Sequence, residues 1–372
     1  MVRSERLFAL FRELCLVNSP ALGEADCVAL VRRKLESLGL EVREDGAGAR
    51  IGGNANNLIA RLPGNAEGFP RVFLSAHFDT VEPTEGLEIE ETEELFRSAS
   101  DTILGADNKA GMAPAIEAVE SILEDGAPHG DVWLLFSVAE EIGLKGAAAM
   151  DLDGVDVDFG YVLDTGPPVG TFVTRTGTHY RVKARLIGKP AHSGKDPEKG
   201  VNAVQILAEA VHGMRLGRVG DELTANIGLV SGGTAANVVC PSVEVLGEAR
   251  GTDLAALQDQ IDHMVVRFEQ AAEKWGGRAE VEVSKHYDGY SLSEDEEVVR
   301  RAHSASLELG LQPELRWTLG GSDANVFNAR GVPSVVVGTG MQKIHTHEEF
   351  VTKADLVATA RLAQRLVLLR RP

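Results

Sequence analysis

The stretch RVFLSAHFDTVEP, residues 71–83, carries the reading from which the rest of the chain can be ordered. Val72, Phe73 and Leu74 have the β-branched and aromatic content of a buried strand, yet the run leads straight into His77 and Asp79. Side chains two apart on a strand share a face, so the imidazole and the carboxylate stand side by side at its C-terminal end. One reading is a strand end passing into a solvated loop, with the histidine held by ordinary hydrogen bonds. The other is a metal-ligating histidine held by a carboxylate. The sequence on either side has to separate them.

Apolar runs of the same kind recur at NLIARL (57–62), DVWLLFSV (131–138), FGYVLD (159–164) and PSVVVG (333–338), and AGMAPAIEAVESILEDG (110–126) reads as a helix between two of them. The opening MVRSERLFALFREL is an amphipathic helix pattern, and a second covers roughly residues 24–38 and stops at Gly39. Apolar strands separated by helices predict a largely parallel sheet covered on both faces. From about residue 176 the pattern changes. HYRVKARLIG, TANIGLVSGG, VEVLGEAR and AEVEVSKHY alternate apolar and polar, with two amphipathic helices among them, the second spanning Leu254, Leu257, Ile261, Met264, Phe268 and Trp275. Strand, helix, strand, strand, helix, strand is the order of a split βαβ unit. The expected fold is α/β: a mixed, mostly parallel sheet domain from residues 1–175 and 288–372, with a ferredoxin-like α+β domain, residues 176–287, inserted into it.

At 372 residues the chain has room for two cores, and 25% charged against 44% apolar residues is ordinary soluble composition. No apolar run approaches a membrane span, and the opening helix lacks the uninterrupted apolar segment of a signal peptide, so a cytoplasmic protein with no membrane partner is expected. With 37 Lys plus Arg against 56 Asp plus Glu the formal charge is −19. No basic stripe interleaved with aromatics is present, so no nucleic acid partner is expected. Cys15, Cys27 and Cys240 are scattered and odd in number, which fits neither a disulfide framework nor a thiolate site; any metal is held by nitrogen and oxygen. No G-x-G-x-x-G turn follows an early strand, which disfavours a nicotinamide enzyme.

In open α/β sheets, sites form beyond the carboxyl ends of the strands. His77 and Asp79 follow one strand, Asp107 lies in GADNKAG, Glu140 and Glu141 follow DVWLLFSVA, Asp164 ends FGYVLD, and His345 sits in KIHTHEEF after PSVVVG. Singly, each has an ordinary explanation: Asp107 as a helix cap, Glu140 and Glu141 as a solvated pair, Asp164 as a turn residue, His345 as a loop histidine. Together they pose an electrostatic problem, because converging carboxylates repel one another unless cations sit among them.

The segments SAHFDTVEP, GADNKAG, VAEEIGLKG, VLDTG, GKPAHSG and IHTHEEF occur in the order found in the di-zinc metallopeptidase family that includes peptidase T, aminoacylase and carboxypeptidase G. The chain resembles the peptidase T-like branch over essentially its whole length. The resemblance implies two Zn2+ per chain, with Co2+ or Mn2+ as substitutes. His77, Asp107 and Asp164 would hold one, Asp107, Glu141 and His345 the other, with Asp107 bridging. It also implies that Asp79 accepts a hydrogen bond from the ring N–H of His77, and that Glu140, next to a ligand but not one itself, is the general base. The peptide from Asp107 to Asn108 is expected to be cis. His347 is a rival to His345 whose offset from Glu349 and Phe350 fits the family pattern less well.

By the same resemblance, His192 in GKPAHSG is the lid histidine that stabilises a developing oxyanion, often across a dimer interface; a homodimer through the lid domain is one assembly this allows. Asn237, after GGTAA, matches a substrate-contacting position. Arg250 shares strand parity with Glu244 and Glu248 on an open sheet face and is a second substrate-binding candidate. His129, His179, His212, His263, His286 and His303 lack ligand spacing. The implied activity is hydrolysis of short peptides, as a tripeptide aminopeptidase. An N-acyl-amino-acid amidohydrolase or dipeptidase of the same family is the alternative, and a non-catalytic metal- or peptide-binding protein is the rival from another class. Glu140 argues against the last, since a pure binding site has little need of a base beside a ligand. One stretch departs from the pattern. Where peptidase T carries Arg-Gly-Gly-Thr-Asp, this chain has Leu319, Gly320, Gly321, Ser322 and Asp323. Leucine cannot pair with a substrate carboxylate, so length-reading should be looser unless Arg250 reaches the same place.

Overall fold

Val72–His77 is a strand buried along its whole length, and the burial follows from pairing on both sides: it runs parallel to Val132–Ser137 and to Phe159–Thr165. Ser334–Gly338 adds a further parallel partner on Phe159–Thr165. In this computed structural model, which describes residues 1–371, these strands form the middle of an eight-stranded sheet. Its order is Glu41–Glu44, Leu58–Leu62, Val132–Ser137, Val72–His77, Phe159–Thr165, Ser334–Gly338, Thr171–Thr176, Glu314–Thr318. Leu58–Leu62 has the same apolar run as its neighbours but pairs antiparallel with Val132–Ser137. A continuous apolar run reports burial on both faces and is silent on direction. The outer strands, and a separate three-stranded sheet of Ile89–Glu91, Leu95–Ser98 and Phe350–Thr352, are too short or too polar to stand out in the sequence.

The helix Ala106–Asp125 positions the chemistry. It is buried on nearly every side, with Asp107, Lys109 and Glu117 among its buried residues, and packs on Val72–His77, on Phe159–Thr165 and against the helices Ser4–Cys15 and Lys353–Leu368. Gly111 allows the approach: a β-carbon there would lie 2.1 Å from the Leu163 carbonyl oxygen. The first turn is thereby pressed against the strand end that carries Asp164. Phe73 points to the other face of the sheet, where the ring of Phe327, from the short helix Asp323–Ala329, meets it at 4.7 Å between centroids. No helix among the described residues is long and apolar enough to cross a membrane.

These elements belong to one of two units, made of Met1–Arg175, Ser291–Trp317 and the residues from Ser322 onward; Thr176–Tyr290 and Thr318–Gly321 form the other. The second unit has a five-stranded antiparallel sheet in the order Gly217–Gly220, Leu223–Gly232, Ser242–Gly251, Thr178–Ile187, Arg278–Tyr287. Without the short first strand this is the ferredoxin-like order. Helices Ala203–His212 and Leu254–Lys274 cover one face through Ile206, Leu257, Ile261, Met264 and Phe268, against Val182, Ala184, Leu186, Val243 and Val245. Leu254 and Trp275, which the spacing placed on the same stripe, are exposed at the two ends of the long helix. Gly217–Gly220 reaches only as far as Ala225 on its neighbour. Beyond that point the outer edge of Leu223–Gly232 has no strand partner among the described residues, and Leu229 and Val230 there are 66% and 55% exposed.

The segment Thr318–Gly321, which the expected boundaries assign to the larger domain, groups with the second unit instead. Arg250 Nη1 lies 3.4 Å from the Leu319 carbonyl oxygen. The Leu319 side chain lies over Gly177, where a β-carbon would come within 2.7 Å of Cδ2.

Candidate active site

At the carboxyl edge of the parallel strands the expected side chains of the first unit converge. His77, 2% exposed, has Nε2 at 3.1 Å from Asp107 Oδ1, 3.6 Å from Asp164 Oδ1 and 4.0 Å from Glu140 Oε2. His345 has Nε2 at 3.0 Å from Glu141 Oε1 and 3.2 Å from Asp107 Oδ2. Asp107 thus turns one oxygen to each imidazole. His347 points elsewhere, lying 3.0 Å from Glu82 and 2.9 Å from Asp101. The Asp107–Asn108 peptide is cis, as expected.

Asp79 departs from its expected contact. His77 Nδ1 lies 2.9 Å from the Asp79 carbonyl oxygen and 3.5 Å from its carboxylate, so the backbone is the partner at hydrogen-bonding distance. The carboxylate accepts instead from the N–H groups of Glu140 and Glu141, at 2.9 and 3.0 Å. It fixes the turn that presents both glutamates. Glu349, which was not among the expected site residues, accepts from the N–H groups of Gly105 (2.7 Å) and Asp107 (3.0 Å) and so seats the start of the central helix. Asp323, buried beside the strand end, accepts from Ser137 Oγ. In the sequence, Glu349 stands in IHTHEEF beside the two histidines and Asp323 closes the stretch that begins at Leu319, and no residue type in either segment marks a partner for them.

The electrostatics follow from crowding acids in a dry place. Burial pushes the carboxyl of Asp164 up to about 7, with Asp107 and Asp323 adding to it against the pull of His77. Burial likewise raises Glu140 well above the carboxylate range, with Asp164, Asp323 and Glu141 contributing, and it raises Asp323 to about 6. For Asp107 burial is outweighed by hydrogen bonds from His345 and His77, and its carboxyl is held below the usual range. His345 rises to about 10 beside Asp107 and Glu141. Burial alone would push His77 down, but Asp107, Asp164 and Asp79 reverse the sign.

Among the described residues, no lysine or arginine forms an ion pair with Asp107, Glu140, Glu141 or Asp164; the imidazoles alone do. Ligand atoms of His77, Asp107 and Glu141 all lie within 4.8 Å of one another. A set of imidazole nitrogens and carboxylate oxygens, with His77 and Asp107 buried and Glu141 partly so, and with no lysine or arginine paired to it, fits divalent metal ions that take nitrogen and oxygen ligands.

In the second unit, His192 and Asn237 are exposed neighbours. A backbone bridge joins His192 to Val238, Ser193 N–H donates to the Asn237 carbonyl at 3.0 Å, and Gly194 N–H donates to His192 Nδ1 at 3.1 Å. Arg250 is at the other end of the sheet. Its guanidinium donates to both oxygens of Glu248 at 3.1 Å and to Tyr287 Oη at 3.3 Å. His179, 3.1 Å from Glu248, joins Arg250 in lowering that carboxyl to about 2. The strand Ser242–Gly251 runs from one place to the other, and at roughly 3.3 Å per residue it holds His192 and Asn237 on the order of 25 Å from Arg250. Within one chain these candidates do not come together.

The uncharacterized protein YqjE of Bacillus subtilis strain 168 is 37% identical over 367 residues, 99% of each chain. A tripeptidase of Staphylococcus aureus superposes with a TM-score of 0.93 at 36% identity, covering 99% of this chain and 98% of its own. The aminopeptidase PepT of Bacillus cereus gives 0.88 at 38% identity, with the same coverage. Residues 73–369, which span every histidine and carboxylate of the cluster, match Peptidase family M20/M25/M40. A mostly parallel sheet edged with imidazoles and carboxylates, relatives aligned from end to end and that match agree: the chain belongs to peptidase family M20/M25/M40, in its peptidase T-like branch, and is a hydrolytic metallopeptidase.

Proposed function

We propose that the chain is a tripeptide aminopeptidase that works in the cytoplasm with two zinc ions. The observation that carries the reading is Asp107, whose two oxygens face the separate imidazoles of His77 and His345. His77, Asp107 and Asp164 would hold one ion, and Asp107, Glu141 and His345 the other. Bound there, the ions supply Lewis acidity to the scissile carbonyl and to a water. Glu140 takes a proton from that water and returns it to the departing amine as the C–N bond breaks, so that one water is consumed and no net proton is released at this carboxylate. The free thiols Cys15, Cys27 and Cys240 suit a reducing compartment. The names of the staphylococcal tripeptidase and of PepT point to the same substrate class.

Arg250 is the candidate for holding the substrate carboxylate. It reaches the backbone of Leu319, in the stretch where peptidase T carries its arginine, while Glu248 keeps its other edge fixed. The test is product analysis of one tripeptide as acid and as C-terminal amide, beside a dipeptide and an N-acetyl amino acid. Release of the N-terminal residue from the tripeptide is expected. The acid should be preferred by about 1.5 to 3 kcal/mol in kcat/KM, the range of a hydrogen bond to a charged group, and Arg250→Met should remove the preference. Hydrolysis mainly of the acylated amino acid would assign the amidohydrolase activity instead.

The separation of His192 from Arg250 supports a homodimer in which each protomer lends His192 to its partner's reaction. The unpaired edge bearing Leu229 and Val230 is a suitable seat for a second copy. Mixing His192→Ala with Glu140→Gln, each inactive alone, should then restore roughly a quarter of the wild-type rate, because half of the random dimers carry one complete site. If the mixture stays as inactive as its components, His192 does not act across the dimer.

A further inference from the structure

The loop between the first two helices, residues 16–24, holds a carboxylate that the reaction does not use. Glu24 is 1% exposed. Its Oε1 accepts the N–H of Leu22 at 3.0 Å and that of Ala139 at 2.9 Å, and its Oε2 is buried without a hydrogen-bond partner among the described residues. Both residues it holds are non-glycine residues in the left-handed region, with φ of 71° and 52°. An L-residue rarely takes that conformation, and it persists only where surrounding groups insist on it. Ala139 directly precedes Glu140 and Glu141, whose own N–H groups go to the two oxygens of Asp79. Three successive amides are therefore pinned by two buried carboxylates, one of them from the opening loop. The same loop grips the other side of the site: Ser19 Oγ donates to the Phe78 carbonyl at 2.9 Å, Thr80 N–H donates to the Ser19 carbonyl at 2.9 Å, and Lys109 Nζ donates to Ser19 Oγ at 2.9 Å.

We infer that Glu24 is a positioning residue for the hydrolysis: by holding Ala139 in the left-handed conformation, it presents Glu140 to the cluster while Glu141 turns to His345. The inference rests on the reading of Glu140 as general base. It separates Glu24 from a merely structural residue, because Ala139 has no side chain of consequence and its backbone angle is what Glu24 controls. Glu24→Gln keeps an oxygen acceptor in place, whereas Glu24→Ala removes it and Glu24→Asp withdraws it by one methylene.

The experiment measures kcat, KM, bound metal and melting temperature for the three variants and for Glu24→Ala combined with Ala139→Gly. Glu24→Gln should stay within a few-fold of wild type. Glu24→Ala and Glu24→Asp should lose roughly 10- to 100-fold in kcat, the scale of a small misplacement of a reacting group, with KM and metal content near wild type. Glycine adopts φ above zero without strain, so the added Ala139→Gly should return a substantial part of the lost kcat. If Glu24→Ala does not fold, Glu24→Asp carries the same comparison. A wild-type kcat in both Glu24→Ala and Glu24→Asp, or parallel loss of metal and kcat with no recovery from Ala139→Gly, overturns the inference. Glu140→Gln assayed alongside keeps the two readings apart: if it retains full kcat the base assignment fails, and if it is inactive while Glu24→Ala is not, only the role of Glu24 falls.

Discussion

Replacing Glu140 by glutamine is expected to lower kcat by roughly 10² to 10⁴-fold, the contribution of a positioned general base, and to leave the metal content near that of the wild type. The amide has the shape of the carboxylate but cannot accept a proton. Its backbone is fixed independently of the side chain, since Asp79 holds the N–H of residue 140, so the loss should come from chemistry alone. Glu141→Gln is the contrast: Glu141 lies 3.0 Å from His345 on the side facing Asp107, and its loss should weaken metal binding itself. Steady-state kinetics with elemental analysis of the same samples decide the matter. A Glu140→Gln protein that loses metal and activity together identifies Glu140 as a ligand, and the base must then be sought elsewhere.

Asp107→Asn should be the most damaging single substitution. An amide offers one oxygen, and its –NH₂ can only donate. Whichever way the side chain turns, one of His77 and His345 loses its carboxylate oxygen, and with it the proposed metal site on that side loses a ligand. Loss of partners that merely orient a ligand costs about 10- to 100-fold in metal affinity or activity, so losing a shared ligand should exceed roughly 10²-fold in both. Dialysed Asp107→Asn should retain well below the wild-type metal content and show no measurable hydrolysis. It should nevertheless fold, because the substitution removes a charge from a buried place. Full metal content with undiminished turnover would show that Asp107 is not shared.

What could be read ahead of the structure has a physical pattern. Val72–His77 and Phe159–Thr165 were legible because an apolar run that ends in an imidazole or a carboxylate juxtaposes two signals seldom found together. The direction of Leu58–Leu62 was not, since a strand buried on both faces has the same composition either way round. Glu24, Glu349 and the true partners of Asp79 were hidden for another reason. Each carboxylate bonds to backbone amides, and every residue but proline has an amide, so no residue type marks the partner. Asp79 was misread on that account: its neighbour in sequence, His77, looked like the obvious donor, while the amides that claim it lie sixty residues on. Thr318–Gly321 changes units on the strength of contacts with Arg250 and Gly177, which only the folded chain brings within reach.

The open strand edge around Leu229 and Val230 has a consequence for handling the protein. A row of unsatisfied N–H and C=O groups beside exposed aliphatic side chains is a template that any extended segment can extend, whether native partner or misfolded neighbour. In the dimer proposed above, separating the protomers by dilution or by truncating those side chains would leave the template bare, and the preparation would drift toward insoluble aggregates rather than toward a well-behaved single chain. A soluble monomer, for spectroscopy or for display on a surface, calls for lysine or proline written into residues 227–232, so that the edge is blunted as well as vacated.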